Sequence, residues 1–139
     1  MNIRIVLSLS LVAILMGAAT SFGLTQNLEW VLWVVIALFS AYLIAKRARQ
    51  RPMVNGFLVG LLCGILNSAT ESLLFDSYIA NNPRAAERLA KISMGIDPMA
   101  FILLSGTIIG LAAGVLFGVL ALLASRLEGP SSSRPTSKR

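Results

Sequence analysis

The 139 residues suffice for one domain; 56% are apolar and only 13% are charged, about half the charged share usual in soluble domains. A water-soluble fold this small cannot hide so much apolar surface, so the mean hydropathy of +0.79 predicts a protein solvated by lipid. The net charge of +6 does not mark a nucleic-acid binder. The basic residues stand in short clusters beside apolar runs, no basic and aromatic stripe crosses a polar region, and no nucleic-acid partner is expected.

The chain has no histidine and one cysteine, Cys63. It lacks the commonest general base and metal ligand, and it cannot close an internal disulfide. Cys63 lies in an apolar run, where a thiol is normally inert. No nucleophile–base pair or metal-ligand cluster can be read, so no catalytic residue, cofactor or metal ligand is assigned, and an enzyme is the least supported class.

In chain order, the first apolar run is Ile5 to Phe22, entered from Arg4. It reads as a spanning helix. Its basic start and small-residue end, Gly17-Ala18-Ala19-Thr20-Ser21, also fit a signal peptide, but about 18 apolar residues exceed the usual signal core of about 7 to 15. The second run goes from Leu28 or Trp30 to Ala45 and is followed by Lys46, Arg47, Arg49 and Arg51. The third covers Met53 to Phe75 and the fourth Met99 to Ala124. All four reach the length of about 17 to 25 residues that a crossing needs. The expected fold is all-α: a polytopic membrane helix bundle with four transmembrane helices (5–22, 28–45, 53–75, 99–124) and a short amphipathic helix in the outer loop. Residues 1–128 form the single domain, and 129–139 form a disordered basic tail.

Nine of the 12 basic residues fall before span one, between spans two and three, or after span four. The positive-inside rule then puts both termini in the cytoplasm, in a bacterial-type inner membrane. Trp30 and Trp33 mark the outer end of span two, Tyr42 lies near its inner end, and Tyr78 follows span three. In the outer loop, Asn82 can cap a helix with Pro83 at its first position, running to Met94 and stopped by Gly95. Ala85, Leu89 and Ile92 share one face of it, while Glu87 and Lys91 form an i,i+4 pair.

The strongest pattern is a pair of small-residue stripes. Span three carries Gly56, Gly60 and Gly64, continued by Ser68 and Ser72; span four carries Gly106, Gly110, Gly114 and Gly118. Steps of four keep each set on one helix face. Such faces let backbones approach where lipid removes the hydrophobic drive between helices. The stripes predict either antiparallel packing of spans three and four or assembly into a homo-oligomer or larger membrane complex.

Asn67-Ser68-Ala69-Thr70-Glu71-Ser72 is the only polar cluster inside a span, and with the second run counted from Trp30, Glu71 is the only acid within any apolar run. A carboxylate at the bilayer centre costs about 2.5 to 3.5 kcal/mol and commonly marks a pathway or a pair. Counted from Met53, however, Glu71 is about 27 Å along a crossing of about 30 Å. It reads either as part of a polar helix end bonded to Asn67, with Arg84 or Arg88 near, or as an ion or substrate ligand. In the second reading Ser105 and Thr107 complete an outward-facing pocket with Asn67 and Glu71.

The entry Arg51-Pro52-Met53-Val54-Asn55-Gly56-Phe57, the outer loop with its Ala/Glu-rich helix and the glycine-rich last span before a basic end resemble small bacterial four-span membrane families. That resemblance covers about Arg51 to Arg126 and implies a fold, with no activity and no functional residues. Four-span multidrug exporters are similar in size and use a membrane carboxylate, but theirs lies in the first span, whereas residues 5–22 and 30–45 here carry no charge. Two functions follow as expectations: an accessory subunit assembled through the glycine stripes, or a small transporter or channel using Glu71. Small size and a basic tail are also compatible with a holin-like pore.

Overall fold

A computed structural model of the chain describes residues 2–25, 28–92 and 95–127. The elements are α1 (Ile3–Ser10), α2 (Val12–Ser21), α3 (Glu29–Arg47), α4 (Pro52–Leu73), α5 (Phe75–Asn81), α6 (Pro83–Ile92) and α7 (Pro98–Leu127), with no strand among the described residues. The stretch Ile3–Ser21, formed by α1 and α2, together with α3, α4 and α7, gives four segments long and apolar enough to cross a membrane.

Polarity is arranged opposite to that of a soluble protein. The fully buried side chains include Ser10, Ser21, Ser40, Asn55 and Ser68, whereas Leu15, Phe39, Ile108, Ile109 and Leu116 are more than half exposed. No more than 33% of the most apolar stretch of any span is buried inside the chain. Large apolar groups therefore face outward while glycine, alanine and serine fill the helix contacts, the arrangement lipid favours. The buried hydroxyls are satisfied locally: Ser10, Ser21 and Ser68 donate to the carbonyls of Val6, Gly17 and Gly64 at 2.8, 2.8 and 2.9 Å.

The closest contact in the fold joins α4 to α7. A Cβ built on Gly56 would lie 2.5 Å from the Phe117 carbonyl oxygen, and one on Gly60 would lie 2.6 Å from the Gly114 Cα. Gly64 faces Gly110, and Gly106 faces Ser68. Each step of four along α4 meets a step of four backwards along α7, so the two helices run antiparallel. Past the last glycine, the Ser72 hydroxyl donates to the Met99 carbonyl at 3.2 Å.

Gly17 brings α2 onto α4 in the same way, since a Cβ there would lie 2.8 Å from both the Asn67 carbonyl oxygen and the Thr70 Cβ. Sequence reasoning used Gly17 only as a mark of a cleavable leader. On the other side, α3 lies mainly along α7, burying Ala37, Ala41 and Ile44.

Two polar clamps hold the ends of the bundle. At the α3–α4 turn the fully buried Asn55 donates to the carbonyls of Ala48 at 3.1 Å and Gln50 at 3.0 Å, and its Oδ1 accepts the Asn2 amide at 3.1 Å. The turn closes through Arg51 in a left-handed conformation (φ 59°) before Pro52 opens α4. At the opposite end Asn81 donates to the Ser21 carbonyl at 3.2 Å, and Asn82 donates to that of Thr20 at 2.8 Å. These are carbonyls that α2 cannot pair within itself at its C-terminus.

Several sequence expectations need correction. The first apolar run is interrupted at Leu11, one residue after Ser10, whose hydroxyl bonds back to the preceding turn; such back-bonding bends helices. The third span ends at Leu73 rather than Phe75, and after a break at Leu74 a further helix, α5, precedes α6. Asn82 does stand at the N-cap position of α6, its backbone carbonyl accepting the Ala85 and Ala86 amides, and its side-chain amide also donates to the carbonyls of Thr20 and Tyr78. The predicted continuation of α6 through Ser93 and Met94, the side chain of Ile92 and the tail 129–139 lie outside the described residues.

Candidate functional site

A helix face with residues at i, i+3, i+4, i+7 and i+8 presents one continuous strip. On α3 that strip is Trp30, Trp33, Val34, Ala37 and Leu38, headed by Glu29, and all six line a cavity of about 930 Å³. The volume falls within the range of about 300 to 1,000 Å³ typical of small-molecule sites. The second wall is α7, through residues including Phe101, Ser105, Ile109, Ala113 and Leu116. The floor is α4, where Gly60 and Gly64 lie together with Gly106 of α7. The glycines that let α4 and α7 touch therefore also leave the space beside their seam unfilled.

Glu71 lies on this wall and is 8% exposed. Its Oε1 accepts the Asn67 Nδ2 at 2.7 Å, the i,i+4 spacing of one helical turn placing the two side chains together. The Asn67 Oδ1 is buried and has no hydrogen-bond partner. The pair thus holds more acceptor capacity than donors, an arrangement that costs about 1 to 3 kcal/mol for a buried polar atom left unmade.

Polar lining is confined to one end. Beside Asn67, Ser68 and Glu71 stand Thr20 from the end of α2, Glu29 from the start of α3 and Ser105 from the early turns of α7. Tyr78 of α5 and Arg88 of α6 complete that end, next to Ala85 and Leu89. Burial pushes the Tyr78 hydroxyl up to about 12; the Glu71 and Glu29 carboxylates push the same way and the Arg88 guanidinium opposes them. Tyr78 is therefore a neutral phenol at any ordinary pH, able both to donate and to accept. Towards the α3–α4 turn the lining becomes Leu38, Cys63, Leu116, Phe117 and Leu120.

The structure brings Asn67, Glu71 and Ser105 to one cavity and leaves Thr107 out of its lining. Two residues along a helix turn the side chain by about 200°, so Thr107 cannot share the Ser105 face; its hydroxyl donates to the Leu103 carbonyl at 2.9 Å. Of the two arginines considered near Glu71, Arg88 lines the cavity and Arg84 does not. Sequence reasoning missed Glu29, Trp33 and Tyr78 as parts of a site, treating the aromatic rings as boundary markers and Glu29 as a loop charge. The strip from Trp30 to Leu38 was the available signal.

Trp30, Val34, Leu38, Ile109 and Leu116 line the cavity and are also at least half exposed. The rim between α3 and α7 is thus part of the apolar outer surface. Among the described residues, no group of three or more His, Cys, Asp or Glu side chains is placed to hold a metal ion. Comparison with protein-family models, curated proteins and solved structures finds no match to the chain.

Proposed function

We propose that this chain is a four-span membrane protein that binds an amphipathic small molecule in the α3–α4–α7 cavity and passes it between the bilayer and the outer face. The observation that carries this reading is Glu71, a carboxylate buried on the wall of a cavity of about 930 Å³ whose polar groups gather at one end. An ionisable group buried inside a span is expensive and commonly marks a pathway or a ligand site. The exposed rim of Trp30, Val34 and Ile109 gives an apolar solute a lateral way in from lipid.

In this reading both termini are cytoplasmic, because Arg4 and the cluster Lys46 to Arg51 lie at the end away from α5 and α6. The Glu71 end of the cavity is then the outer end, and the membrane is a bacterial-type inner membrane. Assembly through the glycine stripes is the weaker reading. Gly56, Gly60 and Gly64 are opposed by Phe117, Gly114 and Gly110 within the chain, which leaves those faces no room for a second copy.

The test is flux of amphipathic dyes of either charge, and of small ions, in liposomes holding the purified protein beside Glu71→Gln. Saturable dye flux that the substitution removes, with no ion leak in either protein, is the expected result. Folded protein that moves no dye would discard transport and return the chain to an accessory role.

A further inference from the structure

The cavity has a direction as well as a volume. On α7 its lining runs from Phe101 to Leu120, about 28 Å at 1.5 Å per residue. That is close to the full hydrocarbon thickness of about 30 Å. The polar lining occupies only the α5–α6 end, and from Ala37, Cys63 and Ile109 onward every lining group is apolar or, for Cys63, a buried thiol. A compact polar solute would leave the long apolar part empty, and a plain hydrocarbon would leave the Glu71 end unpaired. Only a molecule with one polar head and one apolar tail matches both parts.

The head is specified by charge and hydrogen bonding. Two carboxylates, Glu71 and Glu29, line the polar end against one guanidinium, Arg88. Glu71 is buried, whereas Arg88 is exposed. A cationic head therefore balances the lining, and an anionic one would add to its excess. The Asn67–Glu71 pair is short of donors, with the Asn67 Oδ1 unpartnered, so the head needs N–H groups and not only positive charge. Trp30, Trp33 and Tyr78 line the same end, and aromatic rings attract an ammonium.

We infer that the cavity takes a single-tailed amphiphile with a protonated amine head, seated at Glu71 and Asn67 with its tail along α7 towards Leu120. This rests on the binding chamber proposed above and names its occupant.

Both tryptophans of the chain line the cavity, so intrinsic fluorescence reports the occupant directly. The full chain in phosphatidylcholine vesicles is titrated with brominated dodecylamine, dodecanol and dodecanoate, whose tails are the same. Saturable quenching is expected, with the amine bound about 10- to 100-fold more tightly than the alcohol or the carboxylate, as a charge-assisted hydrogen bond in a buried site implies. Glu71→Gln keeps the side-chain size and should erase that preference. Ala113→Phe fills the tail half and should weaken long-chain amines while sparing short ones, a length dependence that general misfolding would not produce. Equal binding of the three heads, or tighter binding of the carboxylate at Arg88, overturns the amine assignment and leaves the chamber standing. Quenching that stays linear for all three, as simple partitioning gives, overturns the chamber and this inference together.

Discussion

Gly110 of α7 stands so close to Gly64 of α4 that a Cβ on Gly110 would lie 3.1 Å from the Gly64 Cα and 2.8 Å from the Leu61 carbonyl oxygen. Backbone, not side chain, would be struck. A rotamer change cannot relieve such a contact, so the helices themselves would have to separate. Because lipid supplies little drive to keep apolar helix faces together, contact distance largely decides the strength of this seam.

Gly114→Leu, whose Cβ would lie 2.7 Å from the Phe57 carbonyl oxygen, should therefore lower stability in detergent by at least about 1 to 3 kcal/mol. Gly114→Ala should cost less. Ala112→Leu, on the exposed side of α7, serves as the control and should leave the unfolding midpoint unchanged. Equal loss from Ala112→Leu and Gly114→Leu would show that the seam is not what the glycines protect.

Asn55→Ala removes two donors and one acceptor from the α3–α4 turn. Each polar atom left buried without a partner costs about 1 to 3 kcal/mol. The expected outcome is a lower unfolding midpoint together with faster tryptic cleavage after Arg47 and Arg49. Cleavage at the wild-type rate would mean that Asn55 does not hold the turn.

Asn81→Ala and Asn82→Ala should each loosen the join between α2 and α5, because each removes a hydrogen bond to a terminal carbonyl of α2, that of Ser21 or that of Thr20, which also accepts the Gly23 amide. A net loss of about 0.5 to 1.5 kcal/mol is expected for each. Amide hydrogen exchange in α5 and α6 should quicken, while that of α4 and α7 stays slow. Exchange that rises uniformly along the chain would point to global destabilisation instead.

Topology gives a fourth prediction. A reporter fused after Arg139 should be active only in the cytoplasm, and one inserted in α6 at the exposed Glu87 only outside. A cytoplasmic α6 would turn the polar end of the cavity inward and reverse the direction proposed for its ligand.

The sequence alone determined the four apolar stretches, their boundaries to within a few residues and the two glycine stripes. It could do so because span length and helical period are local properties, written in consecutive residues. It also singled out Asn67 and Glu71, since a carboxylate in an apolar run is conspicuous without any knowledge of its neighbours. Only the tertiary structure decided that the stripes face each other, that Gly17 seats α2 on α4, and that Asn55, Asn81 and Asn82 clamp the ends. Those asparagines act on carbonyls as far as 62 residues away, and no local pattern encodes such a distance. The cavity was hidden for the same reason. Its walls come from separate helices, and Glu29, Trp33 and Tyr78 become a site with Glu71 only when the packing of α3 along α7 leaves the space between them open.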